Sequence, residues 1–470
     1  MITKTNYREF LSAPMHFWAS KHGKIEIEPS LFELHLMKQG QEIEGLANQF
    51  ITLYLNDEKL EVTFQKTFLD GEYQARADIV SRSIADNIID IYEVKSACSI
   101  KKEDKHDVAF QRLVCEATEN VGNAYLVYLN KEYVFEGDLD LGGLFLVEKM
   151  DDEIDALRDE VMENRELARQ ISHLDDPFGV EPCLKPKDCP CPSLCHGDLP
   201  HYPIYDIPYL GNRKKRALKE MGILSIQDVP PDFPLSDKQR TQVEVVRSAN
   251  PLIKRAEIKA SLDSLAYPLS FLDYETYNPA VPLFDGYKPY EPIVFQYSLH
   301  LQESPGSEYE HFEGLFTDNE DPSPQLCKKL QGQMPDQGSV VVWYKPFETS
   351  RNREMADRYP AYRDFLEGVN ARVYDLMEIF STGLYTHPDF HGSASIKNVL
   401  PVLVPDIDQG YPGLQISNGE EAMLAWIAII SGQVPSDKVD EVRSDLLAYC
   451  HLDTLAMVKI LEALNQVTAG

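Results

Sequence analysis

Acidic side chains at short spacings, on segments with strand-like patterns, are the residues of this sequence best suited to chemistry. Glu93 and Lys95 are two residues apart in the apolar run 88–95, so both project from one face of a strand. Asp78 lies in the preceding strand-like segment and can meet them there. Two carboxylates can hold Mg²⁺ or Mn²⁺, and the lysine can orient a water molecule that the cation activates. The alternative is an ordinary salt-bridge ladder across two strands.

A second acidic group lies in the C-terminal half. Asp273 and Glu275 alternate onto one side of the apolar strand 269–276. Glu348 follows another apolar strand, at the point where a helix should begin. Asp375 ends a further strand-like segment and is expected to support the site without binding metal.

A late helix completes this second group. Tyr449 and Asp453 are four residues apart in the helical pattern 442–464, so they share one helix face. Four carboxylates can hold two divalent cations, of which one activates water and the other stabilises the leaving oxygen. The tyrosine would help to position that water. The alternative is that the carboxylates cap a strand and lie on a solvated helix surface.

Half of the eight cysteines fall within one short segment, at Cys183, Cys189, Cys191 and Cys195. In a cytosolic chain this clustering predicts metal binding and not disulfide bonds. Four thiolates suit either tetrahedral Zn²⁺ or an iron–sulfur cluster. The alternative is that only some of them bind metal, or that they are buried thiols.

The elements that must position these groups indicate two α/β domains. A chain of 470 residues exceeds one ordinary core. Residues 1 to about 170 alternate helical and strand patterns, and residues 177–210 are rich in Pro and Cys and form a boundary. Residues 211–260 have a helical pattern, and strands and then helices follow from Tyr267.

Charge and hydropathy limit the possible partners. The N-terminal segment lacks an apolar signal region, and the longest apolar stretch, 422–430, is too short to cross a bilayer. We therefore expect a soluble, cytoplasmic protein with no membrane partner. The formal net charge of −31 argues against tight, nonspecific binding of nucleic acid, unless basic residues cluster locally and bound cations offset part of the acidity.

The segment with Asp78, Glu93 and Lys95 resembles the core of PD-(D/E)xK nucleases, most of all the RecB-type branch of CRISPR-adaptation and AddB-like enzymes. Gln111 matches the glutamine of that branch's Gln-x-x-x-Tyr motif, whereas Cys115 stands where the tyrosine would be. Glu42 lies on the helix to which the family adds a further acidic residue.

The resemblance to iron–sulfur members of this branch implies that the four clustered cysteines bind a structural [4Fe–4S] cluster, with Zn²⁺ as the alternative. Those relatives place one cysteine before a proline near the N-terminus. Here Ala13-Pro14 lacks that cysteine, so a local four-cysteine site would replace the split one.

The C-terminal motifs resemble those of DnaQ-like (DEDD) 3′→5′ exonucleases, which have an RNase H-like fold. The matching residues are Asp273-x-Glu275, Glu348, where the family has aspartate, and Tyr449-x-x-x-Asp453. Ser395 and Lys397 precede a helix and could contact a phosphate there, although a plain helix cap is an equal alternative.

The connector contains a basic segment that resembles half of a helix-hairpin-helix element. This segment, 210–223, includes Arg213-Lys214-Lys215-Arg216, and residues 225–228 fit the start of a second helix. Such elements hold a phosphate backbone through amides and lysines. A solvated helix face is the alternative.

These resemblances imply an uncharacterised bacterial family that joins a RecB-like nuclease to a DnaQ-like exonuclease. The expected domains are a RecB-like nuclease with the cysteine cluster at 1–198, a helical connector at 199–262, and an RNase H-like exonuclease at 263–470. The expected activity is metal-dependent hydrolysis of DNA, single-stranded or with a free 3′ end, in repair or defence. Trimming of RNA, or a nucleic-acid-binding scaffold with an inactive site, are the alternatives.

Overall fold

The computed structural model describes residues 1–25, 28–405 and 415–469. The chain is a mixed α/β protein with two compact units. The first comprises Met1–Asp198 with Asn278–Glu291, and the second comprises Leu199–Tyr277 with the chain from Pro292 onward. Within the described part of the chain, no helix combines the length and the apolar character that crossing a bilayer requires.

The first unit is built on a six-stranded sheet. Its strands are β1 (Ile2–Thr3), β2 (Leu60–Asp70), β3 (Tyr73–Ser83), β4 (Ile89–Lys95), β5 (Val121–Leu129) and β6 (Phe145–Lys149). Its helices are α1 (Lys4–Ser12), α2 (Pro14–Lys21), α3 (Leu31–Tyr54), α4 (Lys102–Glu116), α5 (Leu141–Leu144), α6 (Asp151–Ser172) and α7 (Pro192–Cys195). The sheet order is β1-β3-β4-β5-β6, and β2 pairs with β3.

The strand pairing brings distant segments together at β3. Strand β2 pairs with β3 along the whole length of β3, so β1 and β4 both pair with the opposite edge of β3. The residue after β1 therefore lies near the end of β4. Helix α4 crosses between the parallel strands β4 and β5 and buries one face on the sheet. It starts at Lys102, where the carboxylate of Asp104 accepts a hydrogen bond from the backbone amide of Lys101 (2.9 Å).

The second unit is built on a five-stranded sheet and also contains a separate two-stranded sheet. Its strands are β7 (Leu252–Ile253), β8 (Leu269–Tyr277), β9 (Ile293–Gln302), β10 (Tyr309–Leu315), β11 (Val340–Val342), β12 (Val373–Asp375) and β13 (Tyr385–Thr386). Its helices are α8 (Asn212–Glu220), α9 (Asp237–Ser248), α10 (Arg255–Leu262), α11 (Ser323–Gln331), α12 (Lys345–Arg358), α13 (Arg363–Asn370), α14 (Glu378–Ser381), α15 (Ile396–Leu403), α16 (Gly419–Ile430) and α17 (Val439–Ala469). The sheet order is β10-β9-β8-β11-β12, and β13 pairs with β7.

Strand β8 lies in the middle of this sheet, antiparallel to β9 and parallel to β11. Apolar clusters cover both faces of the sheet, so the centre of β8 is withdrawn from solvent. Helix α17 packs along the sheet and is longer at both ends than the predicted range 442–464. A carboxylate on β8 therefore lies inside the unit, where it needs a partner.

The connector is less regular than predicted. Helix α8 carries the basic run, but the expected second helix at 225–228 is a single 3₁₀ turn, Ile226–Asp228. Pro230 and Pro231 follow after Val229, and proline has no amide hydrogen to continue a helix. The helix-hairpin-helix expectation is therefore wrong for the second helix. The next helix, α9, begins only at Asp237.

Candidate active sites and metal centres

The carboxylates of the second unit come from three elements. Asp273 and Glu275 lie on β8, opposite Ser298 and Gln296 of β9. Glu348 lies in the first turns of α12, and Asp453 lies on α17. The sheet, a helix start and a late helix therefore each carry part of the predicted acidic set.

Asp375 fixes the start of α12. Its carboxylate accepts hydrogen bonds from the backbone amides of Tyr344 (3.1 Å) and Lys345 (2.8 Å), and from that of Met377 (3.1 Å). A carboxylate at a helix N-terminus satisfies amides that have no partner within the helix. Asp375 thus orients the helix that carries Glu348, in keeping with the expected supporting position.

The electrostatics indicate that Asp273 and Glu275 lie between Glu348 and Asp453, since each of the outer two interacts with both of them. Burial, and then repulsion by Asp453, raises the pKa of Asp273 well above its ordinary value. Burial, and then repulsion by Asp273 and Asp453, also raises the pKa of Glu275 well above its ordinary value. Burial, and then Asp273 and Glu275, raise the pKa of Glu348. Because desolvation and like charges both oppose ionisation, this group favours protons or cations.

Glu348 gives the clearest sign of a missing partner. Its side chain is 1% exposed, and its Oε2 atom makes no hydrogen bond to any residue that the structure describes. A buried oxygen without a partner is costly, and a bound divalent cation would satisfy it. The residues therefore fit the implied Mg²⁺ or Mn²⁺.

Tyr449 and Cys450 border this group. Burial, and then Asp453, to which its hydroxyl is hydrogen-bonded, raise the pKa of Tyr449. The Sγ atom of Cys450 lies 3.7 Å from Oδ2 of Asp273. Cys450, Asp273 and Glu275 offer ligand atoms within 4.8 Å of one another. Sequence reasoning missed Cys450, although its i,i+3 spacing from Asp453 puts both on one helix face.

A cation and a helix start lie close to Glu275. Lys397 lowers the pKa of Glu275, though less than burial and the neighbouring carboxylates raise it. Its Nζ atom also donates to the carbonyl of Ser417 (3.0 Å). A Cβ atom added to Gly419, the first residue of α16, would lie 3.6 Å from Oε2 of Glu275. Ser395 occupies the N-cap of α15 without a side-chain capping bond.

The predicted residues of the first unit also come together. In the antiparallel ladder, Ile79 of β3 pairs with Tyr92 of β4. Asp78 precedes Ile79 and Glu93 follows Tyr92, so the two carboxylates occupy the next position along the two strands. The amide of Val94 donates to Oδ2 of Asp78 (2.9 Å). Burial, and then repulsion by Glu93, raises the pKa of Asp78 to about 7.

Glu93 is 1% exposed and is surrounded by donors. Lys95 contacts its Oε1 at 3.0 Å, and Nε2 of Gln111 donates to its Oε2 (2.8 Å). Lys4 forms a further ion pair with Oε1. Burial would raise the pKa of Glu93, but Lys4 and Lys95 outweigh it and hold the pKa below its ordinary value.

Lys95 joins two carboxylates. Its Nζ atom donates to Oδ2 of Asp107 on α4 (2.6 Å) as well as contacting Glu93. Burial would lower the pKa of Lys95, yet Glu93 and Asp107 raise it, so the side chain stays charged. The sequence patterns did not reveal Lys4 or Asp107, because pairing of β1 and packing of α4 bring them here.

The acidic residue that α3 contributes is Glu44 and not Glu42. Glu42 is exposed, whereas Glu44 is half-buried. Nε2 of Gln65 donates to Oε1 of Glu44 and also contacts Oδ1 of Asp78 (3.4 Å). The structure therefore places Glu44, and not Glu42, near Asp78. On a helix, a shift of two residues turns a side chain to the opposite face.

The four clustered cysteines lie together with two histidines. Cys191 and Cys195 have Sγ atoms 3.7 Å apart, and Nε2 of His16 lies 3.3 Å from Sγ of Cys189. Cys183 contacts Nε2 of His196 at 3.0 Å. His16, Cys189, Cys191 and Cys195 offer atoms within 4.8 Å of one another.

The thiols are protonated in the absence of metal. Burial raises the pKa of Cys191 to about 11 and that of Cys195 to about 12. A metal bound here would displace those protons. His16 was not predicted, although it lies two residues after the Ala13-Pro14 pair.

The comparisons with known proteins leave the activity open. A family model described as a domain of unknown function (DUF2779) matches residues 270–395, which include Asp273, Glu275 and Glu348. A solved structure described as the crystal structure of SSO0001 has a TM-score of 0.24 and 13% identity, covering 42% of this chain and 87% of that chain.

The similar curated proteins are uncharacterized. The MG366 homolog of Mycoplasma pneumoniae is 28% identical over 210 residues, 40% of this chain and 31% of the relative. MG366 of Mycoplasma genitalium is 25% identical over 206 residues, with the same coverage of 40% and 31%. The chain thus spans about a third of the length of the curated relatives it matches.

Proposed function

We propose that this protein is a metal-dependent nuclease that hydrolyses phosphodiester bonds of DNA, with a 3′→5′ exonuclease site in the second unit. The observation that carries the proposal is the convergence of four carboxylates from β8, α12 and α17, of which Glu275 and Glu348 are buried and Asp273 and Asp453 are half-buried. Such a group opposes ionisation, and bound cations relieve the repulsion as protons do. The central position of β8 supports an RNase H-like arrangement.

Each residue has a defined part in this proposal. The four carboxylates would hold the divalent cations, which supply an activated water and stabilise the charge on the leaving oxygen. Tyr449, whose hydroxyl is hydrogen-bonded to Asp453, would help to position the attacking water. Lys397 supplies a positive charge next to Glu275 that can meet a phosphate.

We propose a second nuclease site in the first unit, formed by Glu44, Asp78, Glu93 and Lys95. Gln111 holds Oε2 of Glu93, and Lys95 is kept charged between two carboxylates. The charged lysine can orient an attacking water, whereas the raised pKa of Asp78 favours exchange of its proton for a cation. The PD-(D/E)xK resemblance supports this proposal.

We propose that the cysteine cluster holds a structural metal, and the spacing of its sulfurs favours zinc over the [4Fe–4S] cluster that the resemblance implies. For a Zn–S bond of about 2.3 Å, the edge of a tetrahedron is about 3.8 Å. The Sγ atoms of Cys191 and Cys195 are 3.7 Å apart. Purified protein that is brown and absorbs visible light would contradict zinc.

The decisive experiment compares two matched variants. Wild type, Asp273→Asn and Asp78→Asn are incubated with 5′-labelled single-stranded DNA and RNA, in Mn²⁺ and in chelator. We expect Asp273→Asn to lose shortening from the 3′ end by on the order of 100- to 1,000-fold. Asp78→Asn should retain that shortening and lose a different cleavage.

The variant of an exposed carboxylate, Glu378→Gln, serves as the control and should behave as wild type. Preferential shortening of RNA would replace DNA as the substrate. If wild type degrades neither strand, or if both asparagine variants keep every activity, the protein is a binding scaffold and the nuclease proposal fails.

A further inference from the structure

Three histidines of the second unit lie together at a place that the nuclease proposal does not use. His300 on β9 and His311 on β10 form a directly opposed pair in the antiparallel ladder, so their side chains share one face. Helix α17 packs on these strands and adds His451. The ring centroids are 4.4 Å apart for His300 and His311, 4.9 Å for His300 and His451, and 4.3 Å for His311 and His451.

The nitrogen atoms have the spacing of a metal site. One ring nitrogen from each histidine lies within 4.8 Å of the others. Nδ1 of His451 is 3.3 Å from Nδ1 of His311 and 3.2 Å from its Nε2. For a Zn–N bond of about 2.0–2.1 Å, two nitrogens at a tetrahedral edge are about 3.3 Å apart.

Hydroxyl groups hold the rings from outside. Oγ1 of Thr454 lies 2.8 Å from Nδ1 of His300, and Oγ of Ser298 lies 3.0 Å from Nε2 of His311. The two hydroxyls are themselves 2.7 Å apart. Metal-binding histidines commonly use their second nitrogen in this way, which fixes the ring orientation. Nε2 of His300 and Nδ1 of His311 are then the nitrogens available to a ligand.

This cluster is separate from the carboxylate group. Successive helix positions are about 100° apart, so His451 and Asp453 point to opposite sides of α17. Imidazole ligands select transition metals, whereas carboxylates select Mg²⁺ or Mn²⁺. His311 and His451 are half-buried, which leaves solvent access for a fourth ligand.

We propose that His300, His311 and His451 bind one transition-metal ion of the zinc class. Three protein ligands leave a fourth position for water. The ion would link the β9–β10 hairpin to α17, the helix that carries Tyr449 and Asp453. The competing arrangement is a hydrogen-bonded cluster of neutral imidazoles that holds no ion.

The test counts zinc on the full chain. Wild type, His311→Asn and the exposed-site control His201→Asn are equilibrated with Zn²⁺, dialysed and analysed for metal per chain. We expect His311→Asn to hold one ion fewer than wild type and His201→Asn to match wild type. The cysteine cluster is present in all three proteins, so its metal cancels in the difference. Equal metal content in all three would overturn the proposal.

A second measurement needs no variant and therefore does not depend on the folding of one. Diethyl pyrocarbonate modifies free imidazole nitrogens of the wild-type protein, and mass spectrometry reports the modified positions. We expect Zn²⁺ to reduce modification of His311 and His451 at least tenfold and to leave His201 unchanged. Equal modification of His311 and His451 with and without Zn²⁺ would contradict a metal site. Neither measurement uses nuclease activity, so failure here is distinct from failure of the proposed function.

Discussion

Replacement of Glu348 by glutamine should stabilise the metal-free protein while weakening its response to metal. Glu348 is 1% exposed, one of its oxygens has no hydrogen-bond partner among the described residues, and Asp273 and Glu275 repel its charge. The amide of glutamine is neutral and can donate to the neighbouring carboxylates. We expect a gain of about 1 kcal/mol in the free energy of unfolding in chelator at pH 8, or roughly 2–4 °C in Tm.

The gain should depend on pH in a defined direction. The folded-state pKa of Glu348 lies well above its ordinary value of 4.5. Stability from the protonated carboxyl is therefore complete below about pH 4.5 and is lost as the pH rises through the raised value. Glutamine does not titrate, so the difference between variant and wild type should be small at pH 5 and should grow toward pH 8.

Metal should reverse the order. A cation at 100 times its Kd adds about 2.7 kcal/mol to the folded state, and the variant should gain less because it has lost a ligand. The assay is urea unfolding at several pH values, in chelator and in Mn²⁺, with the exposed-site variant Glu378→Gln as the control. A variant that is less stable than wild type in chelator at pH 8, or a difference independent of pH, would refute the reasoning.

Three further predictions concern the first unit, the cysteine cluster and a backbone contact. Gln111→Leu removes the hydrogen bonds to Oε2 of Glu93 (2.8 Å) and to the carbonyl of Arg76 (3.1 Å). Urea unfolding should therefore show a decrease of about 1–3 kcal/mol in the free energy of unfolding. A decrease below about 0.5 kcal/mol, roughly that of an ordinary surface substitution, would contradict this prediction. Cys191→Ser should lower the metal content measured on purified protein and lower Tm, whereas Cys98→Ser, outside the cluster, should change neither; unchanged metal in Cys191→Ser would count against the cluster. Gly392→Ala should destabilise by more than about 2 kcal/mol, because its Cβ would lie 1.9 Å from the carbonyl oxygen of Asp206. The matched control is Gly432→Ala, because Gly432 has the same φ of +68° and a Cβ atom added there would have no atom within 4 Å. This control should lower the free energy of unfolding by only about 1 kcal/mol. Equal decreases in the two variants would show that the backbone conformation, and not the contact with Asp206, determines the loss of stability.

The sequence was most informative where a spacing of two or four residues puts two functional side chains on the same face of one strand or helix. Alternation put Asp273 with Glu275 and Glu93 with Lys95 on shared strand faces, and the four-residue spacing put Tyr449 with Asp453 on one helix face. These relations depend only on local geometry. The mixed α/β class followed from the same patterns.

The sequence was least informative where distant segments meet. Lys4 reaches Glu93 because β1 shares an edge of β3 with β4, a pairing that no local pattern specifies. Glu44 and His16 depend on how a helix rotates and packs against other elements. The three histidines are spread over 152 sequence positions, from His300 to His451, and only the β9–β10 register and the packing of α17 bring them together.

The pattern of products from a 5′-labelled single strand of DNA tests the central claim most directly. With Mn²⁺ present, the wild-type protein should shorten the strand one nucleotide at a time from its 3′ end, and Asp273→Asn should leave it intact. A strand that stays whole with wild type, or an identical ladder from Asp273→Asn, would contradict a catalytic role for the carboxylates that converge around β8.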